Sequence, residues 1–396
     1  MTFDLNNWFF DLNLLPQPIY LVGGAVRDAL LKRQREYLDL DFVVPGKAIE
    51  TAKKIANHYQ SGFVVLDAER HIARVVFPQG TLDFAQQEGD SLEVDLRRRD
   101  FTINAIAYNP RTEELIDPLQ GKRDLEKGLL RMVSPQNLAD DPLRLLRGYR
   151  QASQLNFTIE SETRLTIRSL VSKLANVASE RVQTELNYLL DSPQGNDWLK
   201  AAAEDNLLSF WLGDIPPDSF TKLVKVNETA HLCQELPQVK LPLAKLACLV
   251  SPEPQEAQRQ LQYLKFSREE IKTVCLTLKY LPRLLSLHTS PMLPKEQYFF
   301  FLDVREVFPT LTVVAIAAGA RKDSLLPLIT AYLNPENQAA HPTPLVTGND
   351  LMRSLSLPPS RQIGQLLTEI QVARVEGKIQ TKEEALELAL SLLSKN

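Results

Sequence analysis

Two acids separated by one residue stand out in the run Leu38-Asp39-Leu40-Asp41-Phe42-Val43-Val44. If that run is a strand, pleating sends Asp39 and Asp41 to the same face. Carboxylates ~5 Å apart repel by ~3 kcal/mol at an effective dielectric of about 20, so a partner cation is expected. Hard oxygen donors favour Mg²⁺, which takes a few carboxylates and completes its shell with substrate phosphates. The plain alternative is an exposed strand face with two unrelated acids. Just upstream, Leu21-Val22-Gly23-Gly24-Ala25-Val26-Arg27-Asp28 reads as a strand, a glycine turn and a helix start. Glycines allow backbone to approach a phosphate, a helix start offers free N–H groups, and Arg27 adds a fork of donors. The third glycine of a dinucleotide-binding turn is missing, so a triphosphate suits the segment better. Asp83, in Thr81-Leu82-Asp83-Phe84-Ala85, is either a third carboxylate for the same cation or a solvated strand acid.

Two arginine-rich stretches follow. Arg97-Arg98-Arg99-Asp100 places three guanidinium groups before an apolar helix start, where Arg suits bidentate phosphate recognition and Asp100 suits a helix cap. Three adjacent arginines are also compatible with a solvated patch. In Asp140-Asp141-Pro142-Leu143-Arg144-Leu145-Leu146-Arg147-Gly148-Tyr149-Arg150, Pro142 suits a first helical position, which would make Asp141 a cap. The functional alternative is geometric. Asp141 and Arg144 lie three residues apart, and Arg147 and Arg150 continue a drifting stripe along the same side. A carboxylate accepts from an exocyclic amine and a guanidinium donates to ring nitrogen or carbonyl acceptors. The Watson–Crick edges of cytosine and adenine match such a pair, whereas those of uracil and guanine present a carbonyl in place of the amine.

These residues need a scaffold. Residues 18–110 mix β-rich runs (19–22, 40–44, 63–66, 73–77, 81–85) with a helical stretch at 48–58, an α/β head. From about Leu138 helical periodicity dominates, punctuated by Pro and Ser clusters, so the carboxy-terminal two thirds should be helical. There is no internal repeat. With 396 residues, 44% hydrophobic and 24% charged, the chain can build two to four compact units. A formal charge of −4 gives no global attraction to a polyanion, so any RNA contact must come from local patches. Cys233, Cys248 and Cys275 fit neither a disulfide framework nor a zinc signature and read as thiols of a reducing cytoplasm. The first basic residue is Arg27, so a secretory signal is not expected and the mature chain is expected to start at or near Met1. The apolar stretch 307–320, with Pro309 inside it, is too short for a bilayer and is expected to be a buried helix.

The motifs Gly23-Gly24-x-Val26-Arg27-Asp28, Asp39-x-Asp41, Arg98-Arg99-Asp100-Phe101-Thr102-Ile103-Asn104, Asp117-Pro118-x-x-Gly121-x-x-Asp124-Leu125, Asp140-Asp141-x-x-Arg144 and Glu180-Arg181-Val182-x-x-Glu185-Leu186 occur in that order. Through them the chain resembles the class II tRNA nucleotidyltransferase and bacterial poly(A) polymerase family. The resemblance implies an α+β architecture: a polymerase-β-like nucleotidyltransferase head with a mixed sheet and helices at 1–137, then an all-α neck (138–196), body (197–290) and tail (291–396). It implies that Asp39 and Asp41 bind two Mg²⁺ ions and that Gly24 and Arg27 bind the triphosphate. It further implies that Arg99 helps hold the nucleotide, that Asp141 and Arg144 read the base, and that Arg147 and Arg150 support them. The partners implied are tRNA, held by its acceptor end and top half, with CTP and ATP. The reaction would be in-line attack of the tRNA 3′-hydroxyl on the α-phosphate.

Two departures accompany the resemblance. Many members begin the base-reading motif with Glu-Asp, and this chain has Asp140-Asp141. Some members carry a metal-binding His-Asp phosphohydrolase domain. The comparable helix here, Leu241-Pro242-Leu243-Ala244-Lys245-Leu246-Ala247-Cys248, has no such pair, and His58, His71, His231, His288 and His341 are scattered. No phosphohydrolase activity is therefore expected. Family members that add the terminal A have a flexible loop between the strand acid and the Arg-Arg-Asp motif. Here only residues 84–91 separate Asp83 from Leu92, which points to addition of CC alone. Addition of full CCA, poly(A) synthesis, a catalytically silent RNA-binding scaffold and a small-molecule nucleotidyltransferase are the alternatives. Near the end, Gly348-Asn349-Asp350-Leu351, Gly377-Lys378-Ile379 and Thr381 resemble the family's tail, where a capped helical hairpin could dock tRNA through phosphate contacts.

Overall fold

The computed structural model describes residues 8–33 and 37–394. The chain divides into two compact units, Met1–Phe210 and Trp211–Asn396. In the first, β1 (Tyr20–Val22) leads into α1 (Gly24–Leu30), followed by β2 (Leu38–Val44), α2 (Ala48–Tyr59), β3 (Gly62–Asp67), β4 (Ile72–Phe77), β5 (Gly80–Gln86) and α3 (Leu92–Arg97). A short hairpin, β6 (Ala107–Asn109) and β7 (Glu114–Ile116), completes a seven-stranded sheet in the order β3-β4-β5-β2-β1-β6-β7. β2 and β5 run parallel and every other adjacent pair is antiparallel. The five strands expected from the sequence are present. β6 and β7 were not anticipated, since three residues each leave little alternation to read.

Alternation along β2 decides which face is which. Leu40, Phe42 and Val44 are buried, Phe42 stacks on Phe84 at 5.4 Å, and α2 packs against β4 and β5 through Ala52, Ile55 and Ala56. Asp39 and Asp41 point to the opposite face and are exposed. At the far end of that face Val43 is covered, in a cluster with Val22, Leu96, Ala105 and Ala107, so α3 closes the sheet there.

The chain continues through α4 (Gly121–Lys127), β8 (Leu129–Leu130), α5 (Pro135–Asp140), α6 (Leu143–Leu155), β9 (Thr158–Ile159), α7 (Ser161–Leu170), α8 (Ser179–Asp191) and α9 (Gly195–Glu204). β8 and β9 pair in parallel, a small exception to the all-helical expectation past residue 138. Buried Tyr149 of α6 donates to Asp205, which also pairs with Arg164 and Arg168. The described part of the second unit is helical. Its helix Phe308–Ala317 is buried at all but one position, as expected for the 307–320 stretch, and no helix is long and apolar enough to cross a membrane. Helices Gly348–Leu355 and Lys382–Leu393 both begin with threonine capping boxes, at Thr347 with Asp350 and at Thr381 with Glu384. Lys382 pairs with Asp350 at 2.6 Å, and Leu351, Ile363, Ile370, Ala385 and Ala389 form the shared core.

Gly80 lies opposite Leu38 in the β2–β5 ladder, and a Cβ there would run into the Leu38 carbonyl oxygen and the Phe9 ring. Gly80→Ala must therefore spread the strand that carries both acids. The expected result is a lower thermal midpoint and a loss of about 1–3 kcal/mol, measurable by denaturant titration.

Candidate active site

Strand register builds the site. Val22, Asp41, Asp83, Arg74 and Val64 lie directly opposite one another across β1, β2, β5, β4 and β3, and therefore share a face. Asp39 lies one row away, opposite Thr81, whose hydroxyl donates to its Oδ1 at 2.7 Å. Asp83 is taken up by Arg74, whose Nε and Nη2 donate to its two oxygens at 2.7 and 2.8 Å. Of the three acids, Asp39 and Asp41 are the pair without an arginine fork on them.

Asp41 is exposed as a residue, yet its carboxylate sits in a crowded recess. Desolvation is the largest influence on it. Asp83 and Asp39 add repulsion, Arg99 and Arg74 oppose it, and the result is pushed up to about 6. This excess of negative charge on one sheet face is the property that a divalent cation would relieve. Among the described residues no three His, Cys, Asp or Glu side chains form a closed cage. Two carboxylates on an open face suit Mg²⁺, which relies on substrate phosphates and water for its remaining positions.

The turn after β1 supplies the second part. Gly23 has φ 72°, a left-handed conformation that glycine adopts freely. A Cβ there would stand 3.5 Å from both Arg99 Nη1 and Asp41 Oδ2. Glycine thus keeps open the space between a guanidinium and a carboxylate, which is where a metal-bound phosphate would lie. Gly24 and Arg27 line the same cleft. The Arg27 guanidinium, however, is largely occupied within the protein: it donates to Asp28 at 2.9 Å, to Asn104 at 2.9 Å and to Gln151 at 3.4 Å. Of the three consecutive arginines, Arg97 pairs with Glu93 and Arg98 with Glu88, while Arg99 lines the cleft. Arg99 donates to Asp95 at 3.2 Å, and its buried Nε has no hydrogen-bond partner among the described residues. An orphaned guanidinium N–H beside an acid pair is matched to an anionic ligand.

The third part is α6. Arg144, Arg147 and Arg150 form a half-buried stripe on this helix, and half-buried Asp141 ends α5 just before it. The helix is capped at Pro142 without a side-chain bond, so Asp141 is not its cap, and Arg181 donates to Asp141 at 3.0 Å. Arg144 Nη1 donates to the carbonyls of Arg98 (2.9 Å) and Asn137 (3.0 Å). Its Nε lies 4.0 Å from Asp141, and burial pushes its pKa down. Arg147 reaches buried Asp100 at 3.4 Å and Glu185 at 3.7 Å, and Arg150 pairs with Glu185. Burial raises the pKa of Asp100, but Arg147, Asn104 and the Phe101 N–H more than offset it and hold the carboxyl below its usual range.

A cleft of ≈ 1050 Å³ joins these parts, enough for a nucleoside triphosphate. Asp39, Asp41, Gly24, Arg27, Arg99, Arg147 and Arg150 line it, whereas Arg144 in the first turn of α6 and Asp141 just before that helix do not. Sequence reading missed the polar hub in the lining of the cleft, where Asn104 donates to Asp100 and Gln151, both at 2.9 Å. Asn104 lies four residues after Asp100 inside a motif, but nothing local distinguishes Gln151 from any other helical glutamine. Asp100 is this hub and not the cap of the helical turn Thr102–Asn104, whose cap position is Phe101.

Three family models match the chain: the poly(A) polymerase head domain at 19–131, a probable RNA- and SrmB-binding site of polymerase A at 156–217, and a putative second domain of tRNA nucleotidyltransferase at 235–390. A CC-adding tRNA nucleotidyltransferase of Synechocystis is 50% identical, covering 97% of this chain and 95% of that protein. An A-adding tRNA nucleotidyltransferase of Deinococcus radiodurans is 31% identical over 93% of this chain and 94% of its own length. The structure of a CCA-adding enzyme with ATP superposes with a TM-score of 0.75 at 24% identity, covering 95% of this chain and 91% of the other, a likeness of fold.

The shift at Asp41 has a consequence for stability. Below the ordinary value of 3.8 the folded and unfolded chains both hold the proton. As the pH rises through about 6 the folded chain must carry an unfavourable charge, and stability falls relative to a neutral side chain. Without metal, Asp41→Asn is expected to raise the thermal midpoint at pH 8, with the gain vanishing near pH 4. Calorimetry in EDTA across that range checks it, and a variant no more stable than wild type at pH 8 contradicts it.

Proposed function

The chain belongs to the class II tRNA nucleotidyltransferase and bacterial poly(A) polymerase family, and from that membership we propose that it adds two C residues to the 3′ end of tRNA and stops there. It is a nucleotidyltransferase of tRNA 3′-end synthesis, working on tRNA with CTP and/or ATP. The observation that carries the CC assignment is the link between β5 and α3. β5 ends at Gln86 and Ser91 caps α3, which leaves residues 87–90 between them. That link is pinned. The Gln87 N–H donates to Val44 O at 2.7 Å, the Glu88 N–H donates to Asp95 Oδ1 at 3.1 Å, and Glu88 pairs with Arg98. Changing from a pyrimidine to the larger adenine requires the base-reading side chains to move, and a short tethered link offers no lever for that movement. The 50% identical CC-adding relative supports the same reading.

In this reading Asp39 and Asp41 would hold Mg²⁺, which when bound supplies charge neutralisation at the reacting α-phosphate and the leaving pyrophosphate. Gly23 and Gly24 keep backbone close to the triphosphate, and Arg99 Nε donates to it. Arg27 acts mainly by bracing Asn104 and Gln151 in the wall of the cleft. Asp141 accepts from the cytosine amine and Arg144 donates to its ring acceptors once their bonds to Arg181 and to the Arg98 and Asn137 carbonyls loosen. Arg147 and Arg150, tied to Asp100 and Glu185, set the position of α6. The helical segments 138–196, 197–290 and 291–396 would serve as neck, body and tRNA-holding tail. A protein with free thiols and a tRNA substrate fits the cytoplasm.

Three tRNAs, ending at the discriminator base, after one added C and after two, test the assignment when supplied with CTP, ATP or both in Mg²⁺. The first two are expected to be extended to CC and the third to remain unextended. Addition of A to the third would make the enzyme a CCA-adding one, and no incorporation anywhere would leave an RNA-binding scaffold. Asp39→Asn or Asp41→Asn is expected to lower single-turnover C addition by ~10³-fold, the rate equivalent of several kcal/mol of metal-borne charge stabilisation.

A further inference from the structure

An acceptor strand whose 3′-hydroxyl lies at Asp41 has to leave the site in one direction, and the sheet offers two. Toward β1 and β6 the row is closed: Val22 is 1% exposed and Ala107 0%, both in the cluster under α3. The Gly23 turn and Arg99 stand over that side and are given to the triphosphate. Toward β5, β4 and β3 the same face is open. Past Asp83 it presents Arg74, then Val64 on the edge strand at 49% exposed, with Val76 beside them at 39%. Along β4 the alternation is clean, with Ala73, Val75 and Phe77 buried on the helix-covered face and Ile72, Arg74 and Val76 facing out.

Arg74 is held in a particular way. Its Nε and Nη2 are fixed by the two oxygens of Asp83, and its Nη1 makes no hydrogen bond among the described residues. The side chain is 40% exposed. A guanidinium oriented through one edge keeps donors on its outer edge for a second anion. β4 is two strands from β2, about 10 Å across the sheet, within reach of the last phosphodiesters of a strand that ends at Asp41.

Building on the tRNA nucleotidyltransferase reading, we propose that the open sheet face of β4 and β3 is the seat of the tRNA acceptor strand, and that Arg74, oriented by Asp83, binds a phosphodiester next to the growing 3′ end. Val64 and Val76 give the terminal nucleosides an apolar surface that reads no base, which suits a strand whose last residue changes as C is added. Arg74 is a substrate-binding residue here, separate from the groups that hold the triphosphate.

The test measures tRNA binding without chemistry. Fluorescence anisotropy in EDTA, as a function of KCl, compares wild type, Arg74→Ala, Arg74→Lys and the double variant Arg74→Ala/Asp83→Asn. Two ligands are used: a tRNA ending at the discriminator base and the same tRNA shortened by three nucleotides. Arg74→Ala is expected to weaken binding of the full tRNA about 5–10-fold and to flatten the salt dependence by about one counterion. The shortened tRNA should show no such loss, and in the double variant, where Asp83 no longer carries a charge beside Asp41, the KM for CTP should not change. Arg74→Lys should recover most of the affinity. The double variant, which leaves no unpaired acid, should bind like Arg74→Ala, separating lost contact from damage around Asp83. Wild-type affinity and salt slope in Arg74→Ala, or a raised KM for CTP with unchanged tRNA binding, would overturn the proposal. Wild-type protein is assayed in parallel for C addition in Mg²⁺. If it extends tRNA while Arg74→Ala binds normally, only this inference falls, and if it does not extend tRNA, the functional reading falls with it.

Discussion

Three carboxylates crowd one face of a β-sheet, and the arrangement of the head answers that crowding. β2 and β5 run parallel and in register, so Asp41 and Asp83 stand directly opposite each other with Asp39 one row away. Left to themselves they would repel by several kcal/mol. Asp83 is neutralised by a two-point arginine fork, Asp39 accepts a hydrogen bond from a threonine hydroxyl and keeps its charge, and Asp41 has an elevated proton affinity. The structure thus leaves its uncompensated negative charge on Asp39 and Asp41, the two acids that line the cleft with the glycine turn and Arg99.

Positioning is handled by a polar cluster in the lining of the cleft. Arg27 on α1, Asp100 and Asn104 on the segment after α3, and Gln151 on α6 form one buried hydrogen-bonded cluster. Buried polar groups of this kind stay put only while every partner is present, since each orphan costs about 1–3 kcal/mol. The cluster therefore ties α1, the segment after α3 and α6 to one another. Arg147, shared between Asp100 and Glu185, extends the tie to α8. The same logic explains why the link between β5 and α3 is stiff. Asp95 receives both the Glu88 N–H and Arg99, so the loop and the arginine that lines the cleft are held by one carboxylate.

Some of this was legible residue by residue. An i, i+2 acid pair in an apolar run, a glycine pair before a helix, and Thr-x-x-Asp and Thr-x-x-Glu capping boxes are local patterns whose geometry follows from backbone periodicity. Other features were not. Three arginines in a row are equivalent on paper, and only the end of α3 at Arg97 and the positions of Glu88 and Glu93 send two of them elsewhere. Arg27 reads as a phosphate ligand from its motif, yet much of its hydrogen bonding goes to side chains 77 and 124 residues away. Asp141 reads equally well as a helix cap, until its partner proves to be Arg181, forty residues on.

The sequence by itself determined the elements, the faces they bury and the types of chemistry available, because these depend on periods of two or 3.6 residues and on side-chain identity. The tertiary structure decided which candidates meet. It set Asp83 against Arg74, engaged Arg27 in the polar hub, left Arg99 Nε without a hydrogen-bond partner among the described residues and kept the β4–β3 face open. Those outcomes depend on strand order, parallel register and helix placement, which are fixed by contacts between distant segments that no local pattern encodes.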